Sequence, residues 1–178
     1  MPAMTQQQEA WLRGPLEGVD PLLMPAAHAL VQASKDIDRA ASGLTTGELW
    51  VRPGGAASLG FHLRHVAGSI DRLLTYARGE ALDSRQRAFL SAEQEAGEPA
   101  SDAATLVREA QEAIAQALSV LRSTPPSALL EPRSVGRAAL PTNVLGLLVH
   151  IAEHTQRHTG QIITTAKIVR GLGLAEAR

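Results

Sequence analysis

Apolar residues recur at helical spacing in four stretches of the chain. Leu23, Ala27, Leu30, Ile37 and Ala41 follow one another at steps of three, four and seven. Leu59, Leu63, Val66, Ile70, Leu73 and Ala77 form a second stripe, and Leu106, Ala110, Ile114, Ala117 and Leu121 a third. Val144, Leu147, Ile151, Ile162 and Val169 form the fourth. Such spacing gathers apolar side chains on one helical face. It predicts helices over residues 20–42, 57–78, 101–121 and 142–170. The boundaries follow from capping and breaking residues. Asp20 and Pro21 suit a helix start, and Gly43 a stop. The run "RPGG" precedes the second helix and Gly79 ends it. Ser101 is placed to cap the third, which "TPPS" stops; Pro141 and "GLG" bracket the fourth.

No stretch alternates as a regular strand, although "EPRSVGRAAL" has room for a short irregular ribbon. The polar connection over 80–100 is long enough to run the length of a bundle, so neighbouring helices need not all be antiparallel. The expectation is an all-α four-helix bundle with a long connection between its second and third helices. One domain accounts for residues 1–178, with 1–17 as a peripheral extension.

Composition narrows the function. Hydrophobic residues make up 44% of the chain and aromatics only 3%, so the core is built of Leu, Ile, Val and Ala. The 17 basic residues are offset by 18 acidic ones, which leaves no positive field for nucleic acid. The chain has no cysteine, which rules out disulfides, thiolate zinc sites and a cysteine nucleophile. The opening residues lack a basic segment followed by an apolar run, so no secretory leader is expected. The longest apolar stretch, around "NVLGLLVHIAEH", is too short to span a bilayer. These features point to a soluble cytoplasmic protein.

Chemistry concentrates in "HIAEHTQRHTGQ", residues 150–161, which holds three of the six histidines. His150, His154 and His158 are spaced by four, so each is turned about 40° from the last along one helix face. The first and third lie about 12 Å apart along the axis, so one metal takes at most two of them. A wheel of the fourth helix puts His158 within about 30° of the apolar stripe and His154 within about 70°. His150 lies about 100° away, at the edge. The inward pair is His154 and His158, and imidazoles at this spacing suit zinc, nickel, iron or copper. A packing role for hydrogen-bonded core histidines is the alternative. "HIAEH" also matches the inverted zinc-protease pattern, but the wheel turns Glu153 to solvent, and little chain follows for a further ligand.

A catalytic metal site usually takes a third protein ligand. His62 and His65, in "FHLRHVAG", and His28 are the remaining histidines. His62 lies nearer the apolar stripe, yet a helix touching two neighbours buries a wide arc, so spacing does not choose between them. Here "LWVRPGGAASLGFHLRHVAGSIDRLL" and "LLVHIAEHTQRHTGQI" together resemble the DinB-like (DinB/YfiT) superfamily of metal-binding four-helix proteins. The likeness runs from about Leu44 to Gly173. It rests on Ser58 and Leu59 after a Pro/Gly breaker, on His65 seven residues after Ser58, and on His154, His158, Gly160 and Gln161.

The resemblance implies His65, His154 and His158 as ligands; it does not imply His62 or His150, which are read as flanking or supporting them. Gln161 then lies where it could hydrogen-bond a ligand histidine, and Gly160 where a neighbour could approach closely. Tyr76 is placed toward the His65 side of its helix, as a pocket candidate. Three neutral imidazoles leave a divalent ion's charge uncompensated, so such a site can lower the pKa of a bound water or thiol. The resemblance implies low-molecular-weight-thiol transferases and isomerases, using a bacillithiol-, mycothiol- or glutathione-like cosubstrate, and a homodimer. Metal-activated hydrolysis, with Asp71 or Glu153 as base, is a second reading. A non-catalytic metal or small-ligand carrier acting in a stress response is a third. Arg64 and Arg157 flank ligand positions and could meet an anionic cofactor, though both suit a solvated surface. Trp11, Trp50 and His28 are assigned to packing or surface.

Overall fold

The computed structural model describes residues 8–97 and 99–173. Among these residues there are six α-helices: α1 Met24–Ala41, α2 Thr46–Trp50, α3 Leu59–Ala77, α4 Ser84–Ala92, α5 Ala103–Ser123 and α6 Val144–Leu172. Two short strands, β1 Pro132–Val135 and β2 Leu140–Asn143, pair antiparallel with Pro132 opposite Asn143. The long helices α1, α3, α5 and α6 are the four expected from the sequence. A short 3-10 turn, Ala10–Arg13, packs on α1, where the Ala10 amide donates to Gln32 Oε1. The first seven residues of the segment read as leaderless lie outside the described residues.

The bundle closes in the order α1, α6, α3, α5 and back to α1. Gln156 on α6 donates to the Ala29 carbonyl on α1, and Arg170 to that of Ser42. Both chains advance together across these bonds, so α1 and α6 run parallel. The histidine contacts between α3 and α6 advance in opposite senses, so those two helices are antiparallel. Trp50 lies over Gly60 at the start of α3 and bonds the Ser101 carbonyl just before α5, so α3 and α5 run parallel and the 80–100 connection returns the chain along the bundle, as its length suggested.

The apolar stripes are buried as their periods require. Leu23, Leu30, Ile37, Leu59, Leu63, Leu106 and Leu121 are among the fully buried side chains. Each contributes about 1.5–3 kcal/mol of transfer free energy. Leu73 is only half-buried and Leu74 takes its place. Helix α3 packs against both α5 and α6, so its buried arc is wider than one stripe.

Several boundaries shift. Asp20 does not cap α1; it caps the turn before it, accepting from the Leu22 amide at 2.8 Å. Asp102, not Ser101, caps α5 through the Thr105 amide. Helix α6 starts at Val144, because Pro141 and Thr142 belong to β2 and Asn143 supplies the cap. The ribbon in "EPRSVGRAAL" is a regular hairpin, pinned to α3 where Arg133 Nε donates to the Ala77 carbonyl.

The 80–100 connection also contains a helix, α4, that its polarity concealed. Asp83 and Gln86 cap it reciprocally. Polar contacts hold it to α3: Gln86 and Arg85 both donate to Asp71, and Gln86 also to Thr75 Oγ1. Arg64 reaches from α3 to the carbonyls of Ala92 and Glu95.

Candidate metal centre

Antiparallel packing of α3 on α6 brings four histidines together. Ser58 caps α3 by accepting from the Phe61 amide, which sets the register that turns His62 and His65 toward α6. His154 and His158, one turn apart, face them. His65 Nε2 and His154 Nε2 are 2.9 Å apart. The ring of His158 lies 4.5 Å from that of His65 and 4.6 Å from that of His154, centre to centre. One nitrogen from each of His65, His154 and His158 lies within 4.8 Å of the other two. No other cluster of three or more metal-ligating side chains this tight occurs among the described residues.

Burial disfavours the charged form of His62, His154 and His158. It is the main reason the pKa of His158 is lowered to about 3 and that of His154 to about 4, with the neighbouring His65 adding to both. His62 is lowered to about 4 for the same two reasons. Neutral imidazole is the form that ligates a metal.

The outer nitrogens orient the inner ones. His65 Nδ1 donates to Glu93 Oε2 at 2.7 Å, which leaves Nε2 with its lone pair toward the centre. His158 Nδ1 lies 3.0 Å from His62 Nδ1, which leaves His158 Nε2 for the centre. If His158 ligates there, its hydrogen sits on Nδ1 and His62 accepts it. His154 Nδ1 is buried without a protein partner, so its one engaged nitrogen is the inward Nε2. Two ring nitrogens facing at 2.9 Å need a cation between them or a shared hydrogen. The donor set thus fits a divalent transition metal.

The other expected residues separate clearly. His62 is only 5% exposed and touches His158, which makes it a support for that ring. His150 is nearly half exposed, pairs with Glu153, and stays at the rim with its ring 5.4 Å from that of His154. Glu153 points to solvent and binds Arg157, as the wheel required. Gln161 is exposed and makes no bond to a ligand histidine, because the buried face of α6 passes through Thr159 and Ile162 instead. Gly160 faces open space, so no close approach occurs there. Tyr76 is not a pocket residue: it lies about 16 Å along α3 from His65 and packs on the core.

Asp71 is committed to α4 and Arg64 to the backbone beyond it. His28 bonds the Gly14 carbonyl on the outer side of α1. Trp50 covers α3 at Gly60 and bonds the Ser101 carbonyl, while Trp11 is largely exposed.

Glu93 and Arg72 escaped sequence reasoning. Glu93 is 2% exposed; one carboxylate oxygen takes His65 and the other accepts from Arg72 at 2.6 Å. Two signals pointed there. Asp83-x-x-Gln86 marks a helix start inside the supposed linker, and Gly68 interrupts α3 where a side chain would otherwise stand. At the mouth of the site, Phe61 stacks on His65 with ring centres 5.3 Å apart. A small cleft beside it is lined by Arg52, Ser58, Phe61 and Gln94.

No described helix is long and apolar enough to cross a membrane. No match to a curated protein was found. The family model of the DinB superfamily matches residues 29–162, which include both histidine-bearing helix segments, and the chain belongs to that superfamily.

Proposed function

We propose that the protein is a metal-dependent enzyme in which His65, His154 and His158 hold one divalent transition metal, zinc, nickel or iron. The observation that carries this reading is the convergence of three imidazoles, one nitrogen from each within 4.8 Å of the others. An ion held by three neutral ligands keeps its positive charge and an open side, with which it activates a nucleophile or polarises a substrate oxygen. Around it, Glu93 and His62 fix two of the rings, and Phe61 covers part of the approach.

The reaction class we favour is transfer or isomerisation with a low-molecular-weight thiol as cosubstrate. Membership of the DinB superfamily and the lack of any cysteine support it, because the thiol must then come from outside the chain. Hydrolysis is less well served. Asp71 is bonded to Arg85 and Gln86, and Glu153 is turned to solvent, so neither acts as base at the site. We also read the protein as a cytoplasmic homodimer acting on a small molecule; light scattering of the purified chain tests the dimer.

Elemental analysis of untagged protein tests the site. One equivalent of metal is expected, with loss in His154→Ala and His158→Ala. Full occupancy in both variants would overturn the site. Turnover that requires added thiol separates transfer from hydrolysis, and an enclosed ion with no open position would favour a structural role.

A further inference from the structure

We propose that α4 is a working part of the metal site, with Glu93 as the positioning residue for His65 and Gly68 as the gap through which it reaches. The inference rests on the three-histidine reading above. His65, Gly68 and Arg72 follow at i, i+3 and i+7, so they form one stripe along α3. The stripe has a nitrogen donor at each end and no side chain in the middle. Glu93, just past the end of α4, fills the middle and divides its oxygens between the two ends, Oε2 to His65 and Oε1 to Arg72.

The gap is necessary. A Cβ at Gly68 would stand 2.5 Å from Glu93 Oε1, 2.6 Å from the Phe89 ring and 2.8 Å from the Arg72 guanidinium. A real Cβ tolerates none of these, so alanine there pushes Glu93 and Phe89 outward.

An anchor for α4 alone would need only the pairing of Glu93 with Arg72. The second oxygen goes instead to the outer nitrogen of a ligand histidine, where a carboxylate fixes the tautomer and ring angle and raises ligand basicity. Docking of α4 and occupation of the metal site therefore favour each other, and the coupling is reciprocal. Elsewhere α4 is held mainly by polar contacts: Arg85 and Gln86 on Asp71, Gln86 on Thr75, and Arg64 on the backbone of Ala92 and Glu95, with Phe89 against Gly68.

The test uses the full chain, Zn2+ as probe and a competing chelator. Glu93→Gln and Gly68→Ala are each expected to weaken zinc binding by about 10–100-fold. Arg72→Met breaks the ion pair but spares the contact with His65, so it should weaken binding less than Glu93→Gln. Hydrogen exchange adds a readout independent of affinity. Zinc should slow exchange of the α4 amides in the wild type and have no such effect in Glu93→Gln. Zinc affinity of Glu93→Gln within twofold of the wild type, Arg72→Met equal to or worse than Glu93→Gln, or α4 exchange indifferent to zinc would each overturn the proposal. If the wild type binds zinc, His158→Ala does not, and Glu93→Gln matches the wild type, only this inference fails. A wild type that binds neither zinc, nickel nor iron would overturn both readings.

Discussion

Replacing His62 by phenylalanine separates a supporting histidine from a packing one. The new ring has similar size and stays in the same buried space, but it offers no acceptor to His158 Nδ1, now 3.0 Å away. With metal bound, that nitrogen carries a hydrogen and loses its partner. Losing such an orienting contact costs about 10–100-fold in metal affinity, equivalent to about 1.4–2.7 kcal/mol. An unsatisfied buried donor costs about 1–3 kcal/mol, so both routes reach the same range. The metal-free protein should suffer less, because His158 can then place its hydrogen on Nε2 and the phenylalanine adds apolar burial. Competition titration with a zinc chelator measures the first effect and thermal melting of the stripped protein the second. The expected result is an affinity loss in that range with a small change in melting temperature. Unchanged affinity would show that His62 only packs. Complete loss, as for His158→Ala, would show that it is itself a ligand.

Three further outcomes follow. The folded pKa values of His62, His154 and His158, about 4, 4 and 3, lie below the 6.5 of the unfolded chain, so the unfolded state binds more protons in acid. Metal-free protein should hold its stability above about pH 6.5 and lose it as pH falls from there toward about 4. Urea midpoints measured from pH 7.5 to 4.5 check this, and a flat profile would contradict it. Gly60→Ala places a Cβ 2.8 Å from the Trp50 ring, so overpacking should cost about 1–3 kcal/mol and alter tryptophan fluorescence. Glu153→Ala, on the exposed face, should leave metal content and melting temperature unchanged, whereas the zinc-protease reading requires it for turnover.

The long helices were legible because each must bury one face, and a period of 3.6 leaves a repeating mark. The same mark sorted His154 and His158 from His150, since all three lie on one helix whose apolar side is visible. His65 was harder: α3 touches two neighbours, so spacing alone left His62 and His65 undivided, and family likeness chose between them. Helix α4 left no stripe, because polar groups rather than a buried apolar face hold it to the bundle. Glu93 was hidden with it, since a lone acidic residue in a polar stretch looks solvated until its partners are known. Gln161 misled for the opposite reason. Its wheel position is near the inward side, but the burial of α6 is carried by Thr159 and Ile162 on either side of it.

The contact between α3 and α6 joins residues far apart in the chain: His65 and His154 are separated by 154 − 65 = 89 positions. An ion held between them would close a loop of that length, which is the service a disulfide performs in other small proteins. Unlike a disulfide it would come apart on unfolding, so it would stabilise the fold by mass action, by about 4 kcal/mol at a free-ion concentration about 1,000 times its Kd. In a chain with no cysteine, the metal would then be a staple as well as a reagent. A newly made chain would capture it only after α6 had been completed and docked.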